Sequence, residues 1–349
     1  MYFIGSGFSC GAGAPLTKDI LHNIKRRAKS LPPAHELNEI VTKIIKPFES
    51  LINNNQIDAE SLLTALNNFS IARHVLQENN RSKLIRWRDD LKWTIIWEIG
   101  KSVENNPNKN LYDYFVKNLV DKNDAILSLN YDLIVENAFE RTNVQYDPGY
   151  HFGNNQYGDF TQVAKFQFQN KSMPRLIKLH GSMNWLKCNG HVQGNGTVID
   201  CPNNGNLWVF SKKVADTQYF AQHHFTKNLK HCDTCDSILD PVIIPPQLDK
   251  SDLIKNHYQI LWNQAYLELI KADEITFIGC SLREADVDVC NLLRFAVNDP
   301  KARVSSINVI DPTMNTIDRF KRFFRPGKIT VKPIKMDFIE YLRTMQSTN

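Results

Sequence analysis

Five segments of this chain carry residue types able to do chemistry, and each stands where an apolar run stops. Gly5-Ser6-Gly7 follows Tyr2-Phe3-Ile4, Asn130-Tyr131-Asp132 follows Ala125 to Leu129, and His180-Gly181-Ser182 follows Arg175 to Leu179. Gly279-Cys280-Ser281 follows Glu274 to Ile278, and Asn308 and Asp311 lie at the end of the run from Arg303 to Ile310. Glycines let a backbone turn tightly and approach a phosphate, while a following helix offers N–H donors and the positive end of its dipole. Phe3 to Leu16 therefore reads as a nucleotide-phosphate-binding turn, although Gly11 stands one place late for G-x-G-x-x-G. An amide and a carboxylate orient hydroxyls or water, and an imidazole exchanges protons near neutral pH, as a general base must. Each segment also has a plainer reading: a tight turn, a helix cap at Asn130 or Asp132, or a structural histidine.

A second group is metal-like. Cys232-Asp233-Thr234-Cys235 is a C-x-x-C, the turn that presents two thiolates to a tetrahedral Zn²⁺. Cys188 and Cys201 precede it at a wider spacing, and His191 or His231 is a possible substitute ligand. The surrounding stretch holds Gly190, Gly194, Gly196, Pro202 and Gly205 and little apolar content, so a structural zinc would supply missing stability. Incidental cysteines in a loop are the alternative. Cys10, Cys280 and Cys290 stand outside this group, in core or turn segments.

Those segments must be positioned by a scaffold. Strands are predicted at Tyr2–Ile4, Ala125–Leu129, Arg175–Leu179, Pro241–Ile244, Glu274–Ile278, Arg303–Ile310 and, weakly, Lys328–Ile334. Helical spacing fills Asp252–Ile270, Ala285–Val297, Met314–Phe324 and Asp337–Met345, and Thr17 is expected to cap an early helix. Alternation of this kind implies an α/β fold with a doubly wound, Rossmann-like parallel sheet, whose ligands bind at the carboxyl ends of the strands. Between Ile57 and Val103 the chain is almost wholly helical, and Trp87, Trp93 and Trp97 read as a core stripe of a helical insertion. One unit is expected, with its core at 1–50, 110–181 and 241–349, the helical insertion at 51–109 and a small zinc-binding insertion at 182–240.

Composition bounds the partners. The 349 residues are 42% hydrophobic and 23% charged, ordinary for a globular protein. A formal charge of +5 is a mild excess, compatible with a phosphate-bearing ligand and far from a nucleic-acid signature, so sequence-specific nucleic-acid binding is not expected. The basic run Lys25, Arg26, Arg27 and Lys29 reads as a solvated helix face. No stretch approaches the roughly 20 apolar residues that span a bilayer, and the N-terminus lacks a signal-peptide pattern. A cytoplasmic, reducing location is expected, with the seven cysteines as thiols or metal ligands rather than disulfides.

Taken together and in order, the segments resemble the sirtuin family, and more closely its bacterial SIR2-like branch. The matching strings are Gly5-Ser6-Gly7-Phe8-Ser9 with Gly13-Ala14-Pro15-Leu16, Asn130-Tyr131-Asp132, Lys178-Leu179-His180-Gly181-Ser182, Gly279-Cys280-Ser281-Leu282 and Asn308. The resemblance implies an enzyme that consumes NAD by breaking the nicotinamide–ribose bond. It implies that Asn130 orients the ribose and the attacking water, that Asp132 supports the nicotinamide side, and that His180 acts as general base. Gly5, Ser6, Gly7, Ser9, Pro15, Gly279 and Ser281 would line the cofactor pocket, with Asn308 on the adenosine ribose. A zinc module, here Cys188, Cys201, Cys232 and Cys235, occupies the same slot in sirtuins.

Two departures weigh against a peptide deacylase. Classical members continue the first turn with Pro-Asp-Phe-Arg, where this chain has Pro15-Leu16-Thr17-Lys18. They carry Phe-Gly-Glu on a strand that pairs with the peptide, where this chain has Ile243-Ile244-Pro245-Pro246. His180-Gly181-Ser182-Met183-Asn184-Trp185 is similar to SIR2-like proteins of bacterial anti-phage systems. The expected function is therefore an NAD⁺ glycohydrolase that depletes NAD when activated, as a homo-oligomer and through a separate sensor or ATPase partner. The alternatives are a sirtuin-type deacylase and a non-catalytic subunit that binds NAD or ADP-ribose.

Overall fold

Tyr2-Phe3-Ile4 is apolar and extended, and it forms strand β1 (Tyr2–Ile4) with Phe3 and Ile4 buried, until Gly5 turns the chain into a short helix, Ser6–Cys10. The computed structural model describes residues 1–71, 78–157, 160–169, 171–188, 191–192, 198–199, 207–210, 239–244, 257–283, 286–324 and 329–348. After β1 come β2 (Ala125–Ser128), β3 (Tyr150–Tyr157), β4 (Phe160–Phe166), β5 (Arg175–Lys178) and β6 (Gly181–Cys188). Then follow β7 (His191–Val192), β8 (Val198–Ile199), β9 (Leu207–Phe210), β10 (Leu239–Ile243), β11 (Glu274–Ile278), β12 (Ser306–Ile310) and β13 (Thr330–Ile334).

Six strands form one parallel sheet in the order β13-β12-β11-β1-β2-β5. The chain winds outward from β1 through β2 to β5, then returns to the other side of β1 and winds outward again through β11, β12 and β13. Its connections therefore diverge between β1 and β11 and leave a crevice there. Helices cover both faces, which is why strands such as β2 are buried throughout. One face packs on helices His257–Lys271, Val287–Asn298 and Met314–Phe323, through residues such as Leu269, Leu293 and Phe320. The other packs on Lys109–Tyr114, Ile134–Thr142 and Phe338–Ser347, through Tyr112, Phe139 and Leu342.

The doubly wound expectation is met, with one strand reassigned. The run Pro241–Ile244 does not join the parallel sheet. Within β10 it pairs antiparallel with β6, in a second sheet of order β10-β6-β9-β4-β3. Gly181 causes the departure: at φ +85 it turns the chain out of the parallel sheet, and a Cβ there would stand 2.1 Å from the Val242 carbonyl oxygen. Pro241 is tolerated because β10 lies at the sheet's edge. Aromatic residues bind this sheet to the main one, with Tyr150 edge-on to Trp185 and Trp185 stacked on Tyr258 of helix His257–Lys271.

The helical insertion contains Ala59–Ile71 and Glu78–Val103. Leu62, Leu63 and Leu66 meet Leu91, Ile95 and Ile96 in a core that Trp97 joins and Trp87 and Trp93 flank, as the core-stripe reading requires. The early helix is Ile20–Lys29, preceded by a 3₁₀ turn at Thr17–Asp19, and Thr17 does not cap it. Of the basic run, Arg27 departs from a solvated face: its guanidinium donates to the buried Glu98 at 2.7 and 3.1 Å.

The insertion is tied to the parallel sheet by charge. Arg283, just beyond β11, donates to Asp58 at 2.7 Å and to Glu60. Glu60 also accepts from the Tyr131 hydroxyl at 3.0 Å. Replacing Glu60 with Ala is expected to cost about 2 kcal/mol, because it strands a buried hydroxyl and half of an ion-pair cluster. Chemical denaturation checks this, and an unchanged midpoint would contradict it. A Gly279→Ala change is expected to cost roughly 3 kcal/mol or more, since the new Cβ would meet Gly7 and Phe8 backbone atoms at 2.3 Å with φ at +56. Gly153→Ala, whose nearest neighbours stand at 3.4 Å, is the near-neutral control for the same measurement.

Candidate functional site

The carboxyl ends of β1, β2, β5 and β11 converge on one cleft, lined by Gly5, Ser6, Ser9, Pro15, Asn130, Asp132, His180, Gly279 and Ser281 among others. Nine of the eleven non-metal residues expected to act are therefore joined in one place, which leaves Gly7 and Asn308 to be located. The convergence follows from the topology, because these strands are neighbours around the point where the winding reverses.

Asn130 sits at the centre of a buried network. Its amide nitrogen donates to the Gly5 carbonyl and to Ser9 Oγ, both at 2.9 Å. Ser9 Oγ in turn donates to Asp132 Oδ2 at 2.7 Å. The other Asp132 oxygen accepts the Ile134 N–H at 3.1 Å, so this carboxylate does serve the first turn of helix Ile134–Thr142. Among the described residues no group donates to Asn130 Oδ1, which leaves that oxygen as an available acceptor on a residue that lines the cleft.

The turn carrying Asn130 and Asp132 is held from below. Lys178, buried at the end of β5, donates to the Asp132 carbonyl and to Glu136 at 2.9 Å. Burial pushes the Glu136 carboxyl above its ordinary value, against the pull of the Lys178 ammonium. A buried ammonium with both a carboxylate and a carbonyl is satisfied, and its loss would leave Glu136 uncompensated.

His180 follows on the same strand end. Its carbonyl accepts the Ile244 N–H at 2.9 Å, its ring lies 6.4 Å from that of Tyr131, and its Nε2 stands 3.4 Å from Asp286 Oδ1. Arg283 borders the cleft beside them. Burial works against its charge, but Glu60 and Asp58 outweigh that and raise its pKa. Burial pushes the Cys280 thiol up to about 12, so this cysteine is a packed thiol rather than a nucleophile.

A second cavity adjoins this cleft and forms a second lobe. It shares Ser6, Gly279, Ser281 and Arg283 with the first lobe and adds Gly7, Asp311, Thr313 and Asp337. The Gly5 and Gly7 N–H groups are engaged within the fold, donating to Ile278 and Gly279 carbonyls at 3.1 and 2.9 Å. These glycines contribute chiefly by lacking a side chain, since a Cβ on either would strike the backbone of Gly279 or Cys280 within 3 Å.

Asn308 is the residue that the structure does not bring to the site. It lies inside β12, donates to Thr276 Oγ1 at 3.2 Å and lines neither lobe. The residue at the end of that strand is Asp311, and it does line the second lobe. Of the metal candidates, Cys201, Cys232 and Cys235 lie outside the described residues, as does the side chain of Cys188 at the end of β6. His231 lies outside them too, and of His191 only the backbone, in β7, is described.

Reasoning from sequence missed Asp58, Glu60, Arg283 and Asp286. The last two had a usable signal, because Ser281-Leu282-Arg283-Glu284-Ala285-Asp286 places charges directly after a buried strand. Asp58 and Glu60 had none, since they reach the site from the insertion.

A model of the SIR2-like domain matches residues 124–313, more than half of the chain. No curated protein matches the sequence. Among solved structures, one described as the structural basis of sirtuin substrate affinity aligns at a TM-score of 0.44 and 12% identity, over 100% of this chain and 93% of that one. A Sir2 homologue–NAD complex aligns at 0.41 and 14%, over 100% and 89%, and a Sir2 homologue mutant–ADP-ribose complex at 0.41 and 13%, over 100% and 93%. The matched span runs from the turn before β2 to the residues just after β12 and holds Asn130, His180, Gly279, Asp286 and Asp311, and on that match this chain belongs to the SIR2-like domain family.

Proposed function

We propose that this protein hydrolyses NAD⁺ at the bond between nicotinamide and ribose, releasing nicotinamide and ADP-ribose. Water supplies the hydroxyl on the ribose carbon, the bonding electrons leave with nicotinamide, and one proton passes to a base. The observation that carries this reading is the Asn130 side chain, clamped between the Gly5 carbonyl and Ser9 in the same cleft as His180. Clamped in this way, Asn130 has an oxygen left to orient a ribose hydroxyl or the water. His180 is the general base, and Asp132 acts through Ser9 to hold Asn130 in place. The second lobe, with Ser6, Gly7, Ser281 and Asp311, takes the phosphates and the adenosine half, and Asp311 fills the ribose-binding role first expected of Asn308.

The deacylase reading needs a strand edge for an acyl-lysine peptide. The edge strand β10 carries Pro241, which has no N–H to offer an added strand, and the sequence that follows it, Ile244-Pro245-Pro246, lacks the Phe-Gly-Glu of the peptide-pairing strand. We therefore favour water over a peptide as the acceptor. In this reading the protein is an anti-phage effector of the cytoplasm. It stays quiet until a homo-oligomer or a sensor or ATPase partner switches it on, and NAD depletion then halts phage growth.

We further propose that Cys188, Cys201, Cys232 and Cys235 hold a structural Zn²⁺, on the strength of the Cys232–Cys235 spacing. Metal analysis of the purified protein is expected to find about one zinc per chain, and Cys232→Ser to lose it together with thermal stability. A metal-free, equally stable protein would mean the cysteines are incidental.

For the reaction, nicotinamide release is measured with and without neighbouring gene products and with and without an acetyl-lysine peptide. Release independent of peptide is expected, falling on the order of 100-fold or more in Asn130→Ala and His180→Ala. Release only with peptide would make the protein a deacylase. NAD binding without turnover under every condition would make it a binding subunit.

A further inference from the structure

Asp286 is a charged group of the cleft that the proposed reaction does not use, and among the described residues it stands against His180. It immediately precedes helix Val287–Asn298, where a carboxylate ordinarily turns back to cap the first turn, yet its side chain makes no cap hydrogen bond. Instead Oδ1 stands 3.4 Å from His180 Nε2, with both side chains buried. The start of a twelve-residue helix favours the ionised form of this carboxyl. The Asp286 backbone is fixed on both sides, its N–H donating to the Arg283 carbonyl and its carbonyl accepting from Cys290, each at 2.9 Å. His180 is fixed as firmly. Leu179 N–H donates to the Ser128 carbonyl, Ile244 N–H to the His180 carbonyl, and the left-handed Gly181 follows. Two rigid elements from opposite sides of the switch point thus hold a carboxylate against an imidazole.

We infer that Asp286 is the positioning residue for His180, fixing the ring's rotation and holding its proton on Nε2. In a neutral imidazole one nitrogen is donor and the other acceptor. A proton shared with Asp286 assigns the lone pair to Nδ1 and sets which atom of His180 accepts a proton. The 3.4 Å separation is long for a hydrogen bond, a state common in sites without ligand that tighten when substrate is bound. The carboxylate then also stabilises the imidazolium that forms when the base takes its proton. Asp286 acts through His180 and not on substrate.

This inference rests on the proposed hydrolase reading for its kinetic consequence, but the ring state can be read without any turnover. The full chain, labelled with ¹⁵N at histidine, is compared with Asp286→Asn and Asp286→Ala by long-range ¹H–¹⁵N correlation, with His180→Ala assigning the signals. Wild type is expected to show the Nε2–H tautomer at His180, and both variants to lose that signature. Nicotinamide release should fall on the order of 100-fold in both variants, with KM for NAD changed less than about threefold, and Asp286→Glu should recover part of the loss. An Nδ1–H tautomer in wild type, or a ring state unmoved by either substitution, would overturn the inference. A large rise in KM with kcat unchanged would also overturn it, by placing Asp286 on the substrate. If wild type releases no nicotinamide, the hydrolase reading fails while the ring measurement still decides the role of Asp286.

Discussion

The ends of β1 and β11 meet with no side chain between them, and the site depends on that contact. Gly7 donates to the Gly279 carbonyl at 2.9 Å, and a Cβ on Gly279 would lie 2.3 Å from the Gly7 carbonyl carbon. Two parallel strands whose connections diverge leave a crevice at their carboxyl ends, but the crevice is usable only if the two turns stay low. Side chains at Gly5, Gly7 and Gly279 would lift one turn off the other and separate Ser6 from Ser281, which line both lobes of the cleft. Backbone contact here thus keeps Ser6 and Ser281 side by side on the wall that both lobes share. The cleft walls come from the same strands that make the fold stable.

Burial of polar groups around the cleft is costly unless each finds a partner. Ser9, Asn130 and Asp132 solve this by satisfying one another, in a chain that ends on the Ile134 amide. Lys178 and Glu136 carry out the same task one layer deeper, against the Asp132 carbonyl. The result is a stiff turn in which, among the described residues, no donor reaches Asn130 Oδ1. Asp132 divides its two oxygens: one accepts the Ile134 N–H at the start of the helix, and the other accepts from Ser9, which accepts from Asn130.

Much of this was legible from local pattern, and the remainder was not for physical reasons. Strands such as Glu274–Ile278 and Ser306–Ile310 are short apolar runs followed by small or polar residues, and helices at 3.6-residue spacing separate them, so the parallel sheet could be read directly. Pro241–Ile244 has the same local appearance, and only its pairing with β6, dictated by the turn at Gly181, puts it in a second sheet. Strands β3 and β4 carry polar residues such as Asn154 and Gln162, so their alternation is weak and they went unread. Asn130, Asp132 and His180 were visible because each ends a strand. Asn308 and Asp311 are both visible at the end of that apolar run, but sequence alone does not show that Asp311, just past the strand, lines the second lobe while Asn308 lies within the strand. Glu60 was invisible because its partners are Tyr131 and Arg283, far away in sequence.

Glu60 also bears on what the helical insertion is for. A module that merely decorated the sheet would pack through apolar residues alone, as Leu62 and Leu66 do. Instead Asp58 and Glu60, at the start of helix Ala59–Ile71, reach across to Arg283 and Tyr131, and both of those residues line the cleft. Tyr131 lies between Asn130 and Asp132 in the chain, and its ring neighbours His180. Any displacement of the insertion must therefore break an ion pair and release the ring next to the proposed base. Because ion pairs of partly exposed groups are worth little individually, the coupling is carried by Glu60, which is buried and holds both partners at once. One carboxylate from outside the parallel sheet thus holds two residues that line the cleft.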